Sequence, residues 1–413
     1  MVEVQPFKGI HYNKDKVDIT KVTAPPYDII SPELQDELCN TDNHNLVHLT
    51  LGKTHPRDDS THNQYTRAAT LFQEYLKKKV LIQDDQPAIY PYQVEYIHET
   101  KKKTLTGFFA ILKIDKHYDM VKAHEHTLAK PKEDRLKLMR ACQANLEPIE
   151  VLFNDKDNDI NNLISHATET LTPTMETHSW NGVNRCWTVT GDIAKKICDS
   201  FTDKKVYIAD GHHRYQTAIN YYLENKKAQY RLVLFVDMNN PGLTILPTHR
   251  LIYGIEHLDI KKLLSRAQQF FSIEEKTNKT AISMMQMIKN KKHVFALYAD
   301  KIYIIKLKKE ITEREDTKHS NRWYNLDVSI LQEIFLKKVM GINSDMLENH
   351  VHYTRFEKEA RQLVEMGKYQ LAILLNPIEM DDLKTLALRG EYLPQKSTYF
   401  LPKILSGLVM YAF

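Results

Sequence analysis

The chain has 413 residues, 42% hydrophobic and 27% charged, ordinary globular values that exclude wholesale disorder and are too many for one core, so two or three domains are expected. Its 57 basic and 53 acidic residues leave a net charge of +4 over a large surface, which gives no ground for nucleic-acid binding. Four cysteines form no CxxC pair, which argues against a structural zinc or a disulfide framework; the opening MVEVQPFKGIHYNK and the lack of any apolar run near ~18 residues predict a cytoplasmic protein outside the membrane.

In chain order, the Pro-rich stretch APPYDIISPE forbids regular helix and sets Tyr27 and Asp28 on a stiff loop. Apolar residues from Tyr65 to Leu76 recur at helical spacing, predicting an amphipathic helix over 60–79 with Asp58, Asp59 and Ser60 as candidate caps. AIYPYQVEYIH and TLTGFFAILKID read as a long β-hairpin around an ETKKK turn with a solvated lysine tip.

From Val121 an alternating α/β rhythm is expected. A helix has Pro131 in its first turn, a strand covers Ile149 to Phe153, and helices near 159–170 and 192–201 flank a strand around Cys186 to Val189. The strand VYIAD, a further helix, and the strands RLVLFVDM and LTILPTHRL complete this part. Beyond Gly254 come helices near 258–270 and 280–290, a hairpin turning at Ala299 and Asp300, and an exposed charged connection from Lys308 to Arg322. The amphipathic helix LDVSILQEIFLKKVM, the buried strand YQLAILLNP and a helix ended by Gly390 follow. This divides the chain into segments 1–120, 121–254 and 255–413.

The most informative stretch is VYIADGHHRYQTAINYY. A strand that ends at Asp210, turns at Gly211 and starts a helix leaves unpaired N–H groups at the positive end of a helix dipole, with His212, His213 and Arg214 in the opening. That suits a phosphate group, although spacing alone fits a capped strand-to-helix connection equally well, and neither GxxxxGK[ST] nor GxGxxG is present. A second ionisable cluster, His124, Glu125, His126, Lys130, Lys132, Glu133, Asp134 and Arg135, offers the cations and carboxylates that phosphoryl transfer uses, or else a charged helix face. His249 and Arg250 end an apolar strand, a usual place for ligand contacts or else a surface turn, and Ser397 and Lys403 stand in STYFLPK, which by itself reads as an edge strand and tail. The His124/His126 and His212/His213 pairs could recruit zinc, but neither makes HExxH.

PYDIISPE, HEHTLAKPKEDR, NLEPIEVLF, YIADGHHRYQTA, PGLTILPTHR, LLNP and LPQKSTYFLPK, in that order over nearly the whole chain, resemble the signatures of a prokaryotic family catalogued as domain of unknown function 1015. The middle segment also resembles the superfamily of ParB-type domains, sulfiredoxins and free serine kinases, in which a PI-x-V strand precedes a Gly-x-x-Arg turn, as EPIEV precedes GHHR here. The fold so implied is mixed α/β: a ParB-like nucleotide-binding core flanked by α+β segments with β-hairpins. His212 stands where sulfiredoxins need a cysteine, so their chemistry is not expected, and no basic recognition stripe follows to bind DNA.

The resemblance implies a phosphotransferase that uses ATP or ADP with Mg²⁺ and phosphorylates a small hydroxyl compound such as serine. Asp210, Glu125 and His212 would be catalytic, with Asp210 also holding the metal or accepting the proton and Glu125 acting as base. Gly211, His213, Arg214, Lys130, Lys132 and Arg135 would hold the phosphates, and Tyr27, Asp28, His249, Arg250, Ser397 and Lys403 the substrate. A homodimer is compatible with this. The alternatives are a nucleotide-binding switch without small-molecule transfer, and a metal-dependent hydrolase built on His124, Glu125, His126, Asp210 and His212.

Overall fold

Strands that are apolar on both faces belong in the middle of a sheet. Ile149–Phe153 and Tyr230–Asp237 obey this in the computed structural model, which describes residues 1–125, 129–276, 283–308 and 318–413 and leaves aside the side chains of 129–131. The chain is a mixed α/β protein. Its contacts divide it into two units: Met1–Ala123 with Thr127–Thr244 and Pro402–Phe413, and His124–His126 with Ile245–Leu401.

The first unit is built on a ten-stranded mixed sheet. Ile149–Phe153 runs parallel to Tyr230–Asp237 on one side and antiparallel to Val206–Asp210 on the other; Tyr230–Asp237 then pairs antiparallel with Lys101–Lys113. Phe108, Phe153, Phe201 and Phe235 pack in this core, with Phe108 stacked on Phe235 at 5.0 Å between ring centroids. The expected hairpin is Ala88–His98 with Lys101–Lys113. Its turn is only Glu99 and Thr100, both at positive φ (46° and 68°), a two-residue loop whose twist matches the strands. The lysines expected at a tip therefore lie in the strand, where Lys102 pairs with Glu95 and the Lys103 Nζ donates to Thr244 Oγ1 at 2.6 Å.

The early amphipathic helix is Gln64–Lys77, and its cap is Asn63, not the upstream residues expected. The Asn63 side chain accepts from the Tyr65 and Thr66 amides while Thr66 reaches back to the Asn63 amide. Asp58 is engaged by Arg67, and Asp59 by Thr61 and His62, so neither is available to cap. The C-terminal segment returns to this unit: Tyr411–Ala412 pairs with Ala144–Asn145, and Met410 bridges to Ile10.

The second unit carries a six-stranded antiparallel sheet. Its order is Phe271–Lys276, Ile302–Leu307, Val294–Tyr298, Leu371–Leu374, His249–Ile252, Val351–Thr354. Trp323, Phe335, Leu331 and Phe271 fill its larger core. The expected hairpin after residue 290 and the helix ended by Gly390 are present. LDVSILQEIFLKKVM is helical, but from Leu331 to Val339 it widens into π-type turns. Much of the charged connection, residues 309–317, lies outside the described residues, as does the start of the helix expected near 280. Among the described residues no helix is long and apolar enough to cross a membrane.

Candidate functional site

The strand Val206–Asp210 reaches Gly211 and turns directly into the helix His212–Glu224. Gly211 has φ 92°, and a Cβ there would come within 2.8 Å of Ile149 Cγ2 and 3.0 Å of Arg214 Nε, so both the backbone and the packing require glycine. The ladder with Ile149–Phe153 slips between Ile208 and Asp210, placing Asp210 opposite Glu150. Such a bulge re-aims the side chain at a strand end. The first amides of the helix have no carbonyl one turn behind them.

Around this turn the first unit gathers a buried charged cluster. Arg214 donates to Asp210 Oδ2 and to the Pro148 carbonyl, and Lys403 Nζ meets Asp210 Oδ1 at 2.5 Å. Burial would raise the Asp210 pKa, but Lys403 and Arg214 hold it well below the usual carboxylate range. The same pairing raises Arg214 against its burial. With a cation on each oxygen, Asp210 is poorly suited to hold Mg²⁺ or to take a proton, the two roles expected of it. Among the described residues no group of three His, Cys, Asp or Glu converges as a metal site.

Behind Asp210, Glu147 accepts from the Tyr27 amide at 3.0 Å and lies 3.5 Å from Arg135 Nη1. Arg135 also donates to the Thr50 carbonyl, pairs with Asp134 and lies 4.0 Å from the Tyr27 ring centroid. Arg231, 2% exposed, gives Nη2 to the Glu147 carbonyl, while its Nε and Nη1 meet no acceptor among the described residues. Burial and the neighbouring Arg214 lower its pKa to about 9. Arg135, Asn145, Glu147, Arg214 and Arg231 line a cavity of about 30 Å³, room for a water molecule. Both carboxyl oxygens of Glu150, across the ladder from Asp210, likewise meet no hydrogen-bond partner among the described residues.

Of the residues picked out by sequence, Tyr27, Arg135, Asp210, Gly211, Arg214 and Lys403 come together here. Asp28 beside Tyr27 is exposed. His212 is buried and burial pushes its imidazole down to about 3, so it is neutral and donates or accepts without adding charge. His213 is half-buried, and its carbonyl accepts from Thr217. Lys132 lies in the helix Ala129–Cys142, which packs on the helix His212–Glu224 through Thr217 and the Lys132 carbonyl. The Lys130 side chain and all of His126 lie outside the described residues.

The remaining candidates belong to the second unit. Glu125 Oε1 accepts from the Lys396 amide at 3.3 Å, and His124 Nε2 lies 3.1 Å from Thr398 Oγ1. Ser397 is buried and donates to the Pro394 carbonyl. His249 is 1% exposed, accepts from the Leu375 amide, and is held neutral by burial and by Arg250, its pKa lowered to about 3. Arg250 lies over the Tyr353 ring at 5.5 Å and donates to the Thr248 carbonyl. These histidines and Ser397 are thus anchored in the protein's own framework.

The family model described as "Protein of unknown function (DUF1015)" matches residues 4–329. The chain belongs to this family. No curated protein matches it. Among solved structures it is similar to a free serine kinase in complex with AMP, at 14% identity and TM-score 0.39, over 71% of this chain and 87% of that one. It is also similar to a conserved hypothetical protein from Pyrococcus furiosus, at 15% identity and TM-score 0.37, over 72% and 92% of the two chains. A third is SbnI from Staphylococcus aureus with a C-terminal truncation, at 10% identity and TM-score 0.38, over 72% and 85%.

Sequence reasoning for this DUF1015 member missed Glu147, Glu150 and Arg231. The signal was available for two of them: Glu150 and Arg231 are charged residues inside runs otherwise apolar enough to be central strands. Glu147 precedes Pro148 at the mouth of the strand Ile149–Phe153, where no local pattern marks it.

Proposed function

We propose that this protein binds a nucleotide polyphosphate at the Asp210–Arg214 turn and transfers a phosphoryl group to a small hydroxyl compound. The observation that carries this reading is the convergence of Arg214 and Lys403 on a glycine turn at a helix N-terminus, backed by Arg231, whose Nε and Nη1 meet no acceptor among the described residues. Cations gathered at a helix N-terminus favour an anionic guest. In the mechanism, the amides after Gly211 and the His213 side chain receive phosphate oxygens, and Lys403 and Arg214 offset charge as it spreads over the transferred group. Asp210 serves as the anchor that keeps both cations aimed. No step is routed through a metal ion.

The test is incubation with ATP or ADP and a pool of hydroxyl metabolites, followed by mass spectrometry. A phosphorylated product is expected that vanishes in Asp210→Ala, together with a nucleotide-dependent rise in melting temperature that weakens in His213→Ala. A wild-type protein that neither makes product nor responds thermally to nucleotide refutes the reading. A thermal response without product identifies a nucleotide-binding switch instead.

A further inference from the structure

The second unit holds a cavity of about 340 Å³, large enough for a small metabolite, and no residue of the Asp210 cluster lines it. Its walls are chain segments that hydrogen bonds fix against one another. The loop 290–293 enters the strand Val294–Tyr298 with Asn290 and His293 both at φ 59°. Asn376, in the LLNP stretch that ends the strand Leu371–Leu374, donates Nδ2 to the Ile288 and Lys291 carbonyls at 2.9 and 3.0 Å and so ties that loop down. Asp327, at the start of the helix Asp327–Ile330, accepts from the His293 amide at 2.9 Å, and Asp382 accepts from Arg322 Nε at 2.5 Å. The walls are therefore set before any guest arrives, which lowers the cost of binding. The groups left over within this frame are few. Lys291 and Lys292 line the cavity, are exposed, and form no ion pair among the described residues. Glu379 lines it too, pairs with neither lysine, and gives its helix Met380–Leu388 no side-chain cap. The apolar lining comes from Leu326, Val328 and Leu375, all buried.

We propose that this cavity is a binding site for a free α-amino acid with an apolar side chain. A zwitterion brings one group for each unspent charge: its carboxylate meets the Lys291 and Lys292 ammonium groups, its ammonium meets Glu379, and its side chain covers Leu326, Val328 and Leu375. A simple anion would set its charge against Glu379, a simple cation would set its own against two lysines, and an uncharged apolar molecule would leave all of these groups unused. The site is independent of phosphotransfer at the Asp210 turn and holds whether or not that reading does.

The test is calorimetric titration and thermal unfolding of the full chain with L-leucine, beside leucinamide, which lacks the carboxylate, 4-methylpentanoate, which lacks the amine, and L-serine. Leucine is expected to bind and to raise the melting temperature, and each truncated analogue to bind about 10-fold more weakly or worse, the worth of one charge-assisted hydrogen bond. The double variant Lys291→Ala/Lys292→Ala should erase the advantage of leucine over leucinamide, and Glu379→Gln its advantage over 4-methylpentanoate. These side chains are exposed, so the fold should survive their replacement. Hydrogen exchange should slow on adding leucine in the segments 288–293 and 375–382, which places the ligand in this cavity. Four results would overturn the proposal: no leucine binding at about 10 mM, a concentration that detects even weak sites; unchanged discrimination in both variants; slowed exchange confined to other segments; or tighter binding of serine than of leucine.

Discussion

Replacing Lys403 by Met tests the electrostatic heart of the site. The ammonium lies on Asp210 Oδ1 with only 8% of its side chain exposed, so its removal strips a charge-assisted hydrogen bond from a nearly buried carboxylate. Breaking such a pair outright costs about 3–5 kcal/mol. Here Arg214 still holds Oδ2, which brings the loss closer to one charged hydrogen bond, about 2–3 kcal/mol. In a unit of about 250 residues each kcal/mol moves the melting point about 2–4 °C, so a fall of about 4–12 °C is expected. The decisive form is a double-mutant cycle with Asp210→Asn, followed by urea and thermal unfolding. Once the charge on Asp210 is gone, Lys403→Met should cost little, and the coupling should exceed about 1.5 kcal/mol. Additivity within about 0.5 kcal/mol would mean that the two groups do not act as a pair and would refute the reasoning.

Two further outcomes are expected. Gly211→Ala combines a positive φ with overlap on Ile149 and should destabilise by about 2–4 kcal/mol, whereas Gly390→Ala, at φ 70° with nothing near its Cβ, should lose only the backbone part, about 1–2 kcal/mol; equal melting shifts would remove the packing argument. With an aromatic disulfide reagent at pH about 8, only Cys39 of the four thiols should react in the native protein, because burial raises Cys142 and Cys198 to about 12 and raises Cys186 as well; rapid reaction of two or more thiols contradicts this packing.

Much of this was legible from the residues. The strand–glycine–helix junction at Asp210 announced itself because an apolar run, a glycine and helical spacing are local signals, and the turn formed where they coincide. The Asn63 cap was obscured because Asp58 and Asp59 compete for the same role on propensity, and only their bonds to Arg67, Thr61 and His62 decide between them. Glu150 was the harder case. Its meaning depends on facing Asp210 across a ladder pair that is 60 residues apart in sequence, and no local pattern encodes that partner. The cations on Asp210 differ in the same way: Arg214 is one helical turn away and follows from spacing, whereas Lys403 is 193 residues distant and required the tertiary fold.

That separation has a bearing on biogenesis. At about 5–20 residues per second, some 10–40 s pass between the emergence of Asp210 and that of its lysine, during which the aspartate has Arg214 alone. A nascent chain, or one nicked ahead of Pro402, would therefore carry a half-neutralised anion where the finished protein has a settled one. The charge cluster is thus completed only once the segment that carries Lys403 has docked on the turn.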